Sequence, residues 1–455
     1  MGDVVPISTD AKGRVALPEI GSTGLKHGNG ILEEEFLREL RGLRGVKTFR
    51  EMSRNDAVVG ASLFAYVTLA CEVKFQIDSA KPGDKKADEV RDFVQQCLFD
   101  DMSISWRELI SQILTFMTYG WSFFEVVYKR RGGETNNPQT HSKYSDNKIG
   151  WRKWAVRGQE TLDSWVIDDH GETTAFVQKA WPLMQRVEIP MSKGLLFKTP
   201  SENNSPEGVS ILRTAYLSWY YKRRLQILRG IGMERDLAGM PMLTPPQGVN
   251  IWNENDAAAT RLKSLAEQLV RNIRRDEHEG IVKPFGWEFE LVSTSGSRQF
   301  DITSVIAQLN QEIAMSVMTD FLLVGHEKVG ARSLSIDKRE TFAHAAASFL
   351  DIVCDVVNRF AIPQLVRLNG WTADLCPKLG HGPVAEVSLT ELTQFVSNLT
   401  NAGVLFPDQQ LEEHLRRRAY LPPPPEDSEE KRLEMIEKKT APRTPEPTKE
   451  PPVEE

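Results

Sequence analysis

Two long helical patterns separated by a glycine-bearing loop, from Asp301 to Gly370, constrain this chain more than any other stretch. In the first, Ile302, Ile306, Leu309, Ile313 and Val317 recur at three- or four-residue intervals, which places them on one buried helix face, and Asp301 suits the N-cap. The connecting loop, Leu323 to Arg332, holds Gly325 and Gly330 among mixed charges. A second helix is expected from about Ser335, with Phe342, Ala346, Phe349, Val353, Val356 and Phe360 on its face. Pro363 predicts a kink rather than an end, because Gln364 to Leu368 still read as helical, and Gly370 offers the stop. Some thirty residues at about 1.5 Å each make a rod of roughly 45 Å, longer than an ordinary globular domain needs.

Upstream, Met1 to Gly30 is glycine-bearing and without sustained period, and reads as a mobile arm or an irregular strand-like segment. From Ile31 a helical stripe of Leu32, Phe36, Leu40 and Leu43 is expected, then a more apolar helix starting near Asn55 or Asp56 and reaching Phe75. Asp88 to Leu98 and Ser105 to Tyr119 add two helices, the second ended by Gly120. The period then changes. Trp121 to Tyr128, Trp151 to Arg157, Ser164 to Asp168, Thr174 to Gln178 and Gly194 to Lys198 are rich in aromatic and β-branched residues and predict a sheet. Asp168-Asp169-His170-Gly171 has the residue types of a metal site, but a hairpin turn with Gly171 at positive φ explains it better, since no third ligand is spaced nearby.

A helix from Gly208 to about Met233 interleaves Tyr216, Trp219, Tyr220 and Tyr221 with Lys222, Arg223, Arg224 and Arg229. Such a pattern can stack on bases and neutralise phosphates. It equally fits an amphipathic helix whose charged edge faces a neighbouring subunit, the reading preferred here. Breaks follow at Gly239-Met-Pro241 and Thr244-Pro245-Pro246. Asn255 to Glu277 is helical, with Ala258, Leu262, Leu265, Leu269 and Ile273 on one face and Arg261, Lys263, Arg271, Arg274 and Arg275 on the other. Gly280 to Ser295 alternates Phe285, Trp287, Phe289 and Leu291 and is β-like. After Gly370, Leu389, Leu392, Phe395, Val396 and Leu399 predict another helix, followed by a short one from Asp408 to Arg418. Nine of the 25 prolines fall in the last 34 residues with ten acids and six bases, so that tail is expected to be disordered and to carry most of the formal charge of -7.

That balance offers no general attraction for nucleic acid. The four cysteines are widely separated in apolar contexts, which fits buried thiols in a reducing compartment. The N-terminal stretch has no apolar core of a secretory signal, so intracellular synthesis is expected. Ala57 to Cys71 is uncharged for fifteen residues, short of the ~20 a membrane span takes, and reads as a buried helix. No G-x-x-x-x-G-K-[ST] run is present to cradle nucleotide phosphates, so the chain is not an ATP-driven motor. H-E-x-x-H, C-x-x-C and G-x-S-x-G are absent and the eight histidines are scattered, so no enzyme, cofactor or metal is expected. Carboxylates such as Asp100-Asp101 leave a metal-dependent DNA-processing enzyme of a mobile element as the alternative.

The order of these parts, helices, sheet, helix, β-like insert, helix, loop after Leu322-Leu323-Val324-Gly325, kinked helix and helical pair, resembles the bacteriophage portal proteins, most closely the branch of Mu-like phages and prophages. The resemblance implies an α+β, mainly helical ring subunit. Its parts would be a flexible arm at 1–30, an α+β wing or body at 31–253, stem helices at 254–279 and 298–323 around a β-like clip at 280–297, and a tunnel loop at 324–334. A long kinked helix at 335–370, a helical crown at 371–421 and a disordered tail at 422–455 would complete it. It further implies a homo-oligomeric ring, usually of about twelve copies, through which double-stranded DNA enters and leaves one capsid vertex. The implied partners are the terminase large subunit, major capsid and scaffold proteins, and neck or adaptor proteins. The implied place is the virion, after assembly in the host cytoplasm, with no membrane. By position, His326, Glu327, Lys328 and Arg332 would face the channel; the alternative is an ordinary helix connection. Arg271, Arg274, Arg275, Lys283 and Trp287 would dock the packaging motor or pair with the adjacent subunit, for which Asp276, Glu277 and Glu279 are local candidates.

Overall fold

The structure, a computed structural model, describes residues 21–238, 240–253, 255–272, 285–292, 301–326 and 332–384, with 8–9, 15–16, 283, 394 and 396–400 as short pieces. The chain divides into a unit that ends at Val384 and one that begins at Ala385. The first unit is α+β and mainly helical.

The expected helix from Ile31 does not form. Ile31–Leu32 instead pairs with His27–Gly28, and Gly30 explains why: its carbonyl accepts from Trp165 N at 2.9 Å. A Cβ there would stand 2.0 Å from the Trp165 carbonyl oxygen. This backbone contact outweighs a stripe that Phe36, 75% exposed, does not join. Helix α1 (Gly42–Asn55) starts eleven residues later and buries Val46, Phe49 and Met52. Asp56 both closes α1, its N–H donating to Met52 O, and caps α2 (Ala57–Glu72) by accepting from Val58 N at 2.9 Å and Val59 N at 3.2 Å. Two orphan donors are thereby satisfied at the start of an almost wholly apolar helix. No helix among the described residues is long and apolar enough to cross a membrane.

Strand β1 (Phe75–Asp78), α3 (Lys85–Gln95), α4 (Trp106–Ile113) and α5 (Thr115–Tyr119) lead to the sheet. Gly120 ends α5 at φ 88°, and a Cβ there would lie 2.0 Å from the Gly208 carbonyl oxygen, so both conformation and space exclude a side chain. Next come β2 (Trp121–Arg130), β3 (Ile149–Arg157), β4 (Leu162–Ile167), β5 (Thr173–Lys179), β6 (Arg186–Pro190) and β7 (Gly194–Lys198). They form two antiparallel sheets of order β7-β2-β3 and β6-β5-β4.

The period-2 alternation of β2 separates two cores. Phe124 and Val126 face the helices, joining Trp151, Trp154, Phe197 and the inner faces of α3 and α4. Trp121 and Phe123 face the second sheet, where Phe123 stacks on Phe176 with centroids 4.6 Å apart. The β4–β5 hairpin turns at Asp168, whose Oδ1 accepts from His170 N at 3.0 Å and Glu172 N at 2.8 Å, with Gly171 at φ 88°. These residues therefore make the hairpin turn that the spacing predicts.

After α6 (Tyr216–Ala238), β8 (Met240–Thr244), α7 (Ala257–Asn272), β9 (Glu288–Val292) and α8 (Ile302–Ser316), the chain enters α9 (Arg332–Val356). Helix α9 thus begins three residues before the expected Ser335. A π-helical turn at Val357–Ala361 joins it to α10 (Ile362–Leu368). Pro363 supplies the cause, since its ring clashes with the carbonyl four residues earlier and it has no N–H, and the wider turn relieves that clash. Gly370, at φ 77°, stops the helix.

One expectation fails past that point. The first part of 371–421 is not a helical crown: β10 (Lys378–His381) pairs antiparallel with β1. Asn358 fixes this ribbon, donating to Leu379 O at 2.9 Å and accepting from Leu379 N at 2.7 Å. Within 389–421 only 394 and 396–400 are described, and they are helical; the rest, and the tail, lie outside the described residues.

Candidate functional site

The elements from α6 to α8 form an arm on the body, whereas α9 joins the body's main core through Phe342, Ala346, Leu350 and Val353. Helix α6 packs along α8, with Trp219, Ile313 and Val317 meeting Phe49 and Met52 of α1 in one apolar cluster. Ser218 Oγ donates to Glu312 Oε2 at 2.8 Å across the helix pair. The interleaved aromatic and basic residues of α6 divide by face. Tyr216 and Trp219 are buried, so their rings are spent on the core and are not offered to bases. Lys222 is also buried and meets Asp56 at 2.6 Å, which ties the arm to the α1–α2 corner. Arg223 pairs with Glu51 at 3.0 Å and lies over Trp219, and Arg224 lies over Tyr220. Much of the basic edge expected to face a neighbour is thus answered within the chain.

The outer faces of the arm differ sharply. On α6, Leu217, Leu228 and Ile227 are 59, 56 and 57% exposed, and Tyr221, Ile231 and Met233 are exposed too. On α7, Ala259 is buried where the helix meets β8, whereas Leu262 and Leu265 are 42 and 54% exposed. Helix α7 therefore turns Ala259 inward and leaves Leu262 and Leu265 outward, the reverse of a surface helix in a self-contained domain. Lys263 lies over the exposed Trp252 ring at 4.2 Å.

The β-like insert has a partner that pattern alone did not reveal. Strand β9 pairs antiparallel with β8, with Pro241 opposite Leu291. Gly239-Met-Pro241 and Pro245-Pro246 read as breaks, yet a proline is tolerated in a two-stranded ribbon where its missing donor faces away. Alternating Met242 and Thr244 was the available signal.

Of the residues singled out in the sequence, Arg271 is exposed and sits 3.9 Å from Glu267 one turn back. Lys283 is exposed, and Trp287 is 8% exposed and buried within its own chain. Arg274 and Arg275 lie outside the described residues, as do Glu327 and Lys328. His326 closes a 3-10 helix that begins at Asp320, and Arg332 opens α9. So the structure places the backbone at the two ends of the expected loop.

Where α8 ends, a cluster of buried hydroxyls forms that no local motif announces. Tyr66 OH donates to Val317 O at 3.1 Å, and the Ser62 and Thr319 hydroxyls are 2.6 Å apart. Burial pushes the Tyr66 phenol up to about 12, so it stays a neutral donor in ordinary conditions. Lys338 of α9 pairs with Asp320 just beyond. No group of three His, Cys, Asp or Glu among the described residues is placed to hold a metal ion.

A family model described as the portal protein of Mu bacteriophage matches residues 46–417. The chain is similar in structure to a chain of the neck of an empty GTA particle computed with C6 symmetry, at 12% identity and TM-score 0.51, over 86% of this chain and 95% of that one. It is also similar to a chain of the virion of a native gene transfer agent particle, at 12% identity and TM-score 0.49, over 86 and 95%. An HK97-family phage portal protein from Corynebacterium diphtheriae matches at 12% identity and TM-score 0.40, over 73 and 95%. At such identity the first likeness is one of fold, whereas the family match runs through body, arm and kinked helix alike. The chain belongs to the Mu bacteriophage portal protein family.

Proposed function

We propose that this chain is one subunit of a portal ring at a single capsid vertex, the channel through which double-stranded DNA is packaged and later ejected. Its role is structural rather than enzymatic. The ring numbers about twelve copies, as cyclic closure of a heterologous interface allows. It is assembled in the host cytoplasm with scaffold and major capsid proteins, and docks the terminase large subunit and then neck proteins. The observation that carries the ring is the pair of bare apolar faces on α6 and α7, whose Leu228 and Leu265 are more than half exposed. Covering the exposed half of such side chains favours association by about 1 kcal/mol each, and a neighbouring copy is what a ring subunit has to cover them with. The family match gives no support to a metal-dependent DNA-processing enzyme.

In this reading His326, Glu327, Lys328 and Arg332 face the channel, where a mixed lining suits passage because dense phosphate neutralisation makes tight complexes. Arg271, Arg274, Arg275 and Lys283 lie near the stem-to-clip junction. Pairing with acids of the adjacent subunit is preferred for them over motor docking. Charge reversal at Arg274 or Arg275 would lower ring stability in the first case and motor binding in the second. The channel assignment is tested by packaging assays on alanine variants of the four loop residues. Reduced DNA filling in at least one is expected, and full filling by every variant would overturn the assignment.

A further inference from the structure

At the outer strand of the second sheet, the core stops before the strand does. Strand β6 is paired only to β5, so its other edge is open, and Arg186, Val187 and Glu188 are exposed on it. Val187 shares a face with Ile189, two residues on. Ile189 is 5% exposed in the core between the sheets, whereas Val187 is 50% exposed, and Trp181 and Leu183 of the adjoining turn are 84 and 73% exposed. An apolar shelf thus lies beside an open backbone edge, the arrangement to which a further strand can add.

The N-terminal segment carries a strand in the same unfinished state. Ser8–Thr9 pairs antiparallel with Val15–Ala16, and this ribbon joins no other strand among the described residues. Two strands alone are marginal in water. The segment meets the body at the β4–β5 turn, where Thr23 N donates to His170 O at 3.1 Å and His170 Nδ1 lies 3.2 Å from Gly21 O. That is the end of the sheet where Pro190 of β6 faces Ala175. Val15 stands six residues before Gly21, a reach of up to about 20 Å, which confines the ribbon to its own sheet or to an adjacent copy. In sequence, Val15 and Leu17 share one face of a strand and Arg14 flanks Val15. Set beside β6, apolar meets apolar and Arg14 meets Glu188.

We propose that the N-terminal ribbon of one copy adds as a fourth strand to the β6 edge of its neighbour, Val15–Ala16 running along Val187–Ile189. Within the single chain neither edge is used among the described residues, so each finds its missing strand in another copy. Every subunit then gives one strand and receives one, a heterologous contact that closes cyclically. The cyclic arrangement rests on the portal reading; the strand contact is read separately from ring closure.

The test co-expresses two singly substituted full chains with distinct tags, Val15→Cys and Val187→Cys, and treats them with a short bismaleimide that tolerates a slip of a residue in register. Wild type, with its half-buried Cys71 and Cys376, and each variant alone set the background. A covalent product containing both tags is expected. Cross-linking confined to a single chain that carries both substitutions would overturn the exchange, because the ribbon then folds back on its own sheet. Rings without cross-links would overturn it and leave the portal reading standing; cross-linked pairs without rings would support it and count against that reading; monomers without cross-links would overturn both. Hydrogen–deuterium exchange gives a second readout. Ala16→Pro removes a strand N–H outside the body's cores, and is expected to speed exchange of the β6 amides about fivefold for each hydrogen bond lost. Unchanged exchange there would overturn the proposal independently.

Discussion

The body and the arm bury their apolar residues to very different degrees. In the body, Phe123, Phe124, Trp151 and Phe197 are wholly buried, and β2 is covered on both faces by the chain's own helices and second sheet. In the arm, Leu217, Leu228 and Leu265 are more than half exposed on helices that are otherwise well formed. The body closes its own cores, although Phe64, Trp181 and Leu183 stay exposed at its edges. The arm is complete on its inner side, through Trp219 and the Lys222–Asp56 pair, and unfinished on its outer side. In a ring subunit the unfinished surface is where the neighbours belong.

The largest effect that separates the two regions is expected from truncating the body. Trp154→Ala should cost about 3–5 kcal/mol in urea unfolding, because Trp154 is 1% exposed and packs on Trp151 and Trp106. A cost below about 1 kcal/mol would show that the body is not the rigid half. At the seam, Asp56→Asn should cost about 3 kcal/mol by leaving the Lys222 ammonium buried without its charge partner. Adding Lys222→Met should recover a large part of that loss, measured in the same unfolding experiment.

On the arm, Leu262→Ser with Leu265→Ser should change the unfolding of the isolated subunit by about 0.5 kcal/mol or less. The same pair should weaken self-association at least tenfold, an effect of about 1.4 kcal/mol or more, read by light scattering. The smallest effect is electrostatic. A hydrogen bond from Lys81, then one from Thr372, holds the Asp374 carboxyl at about 2, below the usual ~3.9 of an unfolded chain. A depressed carboxylate stabilises above its unfolded value and loses that contribution as pH falls through its folded value. The melting temperatures of wild type and Lys81→Met should therefore differ slightly at pH 6 and coincide below pH 2.

Local signals were legible where one residue decides a local geometry. Asp301 caps α8 through Thr303 N at 2.9 Å, Gly120 ends α5, Gly171 makes its hairpin turn and Pro363 disturbs its helix, each as its chemistry dictates. Pattern failed where a distant backbone decides. Ile31–Leu32 is drawn into a strand beside β4, Met240–Thr244 is paired across a proline, and Lys378–His381 is recruited by a strand three hundred residues away in sequence. The hydroxyl cluster at the end of α8 was invisible for the same reason, since Ser62 and Tyr66 stand 257 and 251 positions from their partners. At the candidate site, the leucine stripe of α7 was evident from spacing. That it faces outward was not, because a helical period fixes which residues share a face and leaves open what covers it.

If the bare faces of α6 and α7 close a ring, as proposed, the most direct measurement is the mass and symmetry of the purified protein by native mass determination with negative-stain imaging. The expected result is a cyclic particle of about twelve copies with a central hole, lost in the Leu262→Ser, Leu265→Ser variant. A particle whose assembly is indifferent to both substitutions, or a chain that stays monomeric at high concentration with those faces in water, would contradict it.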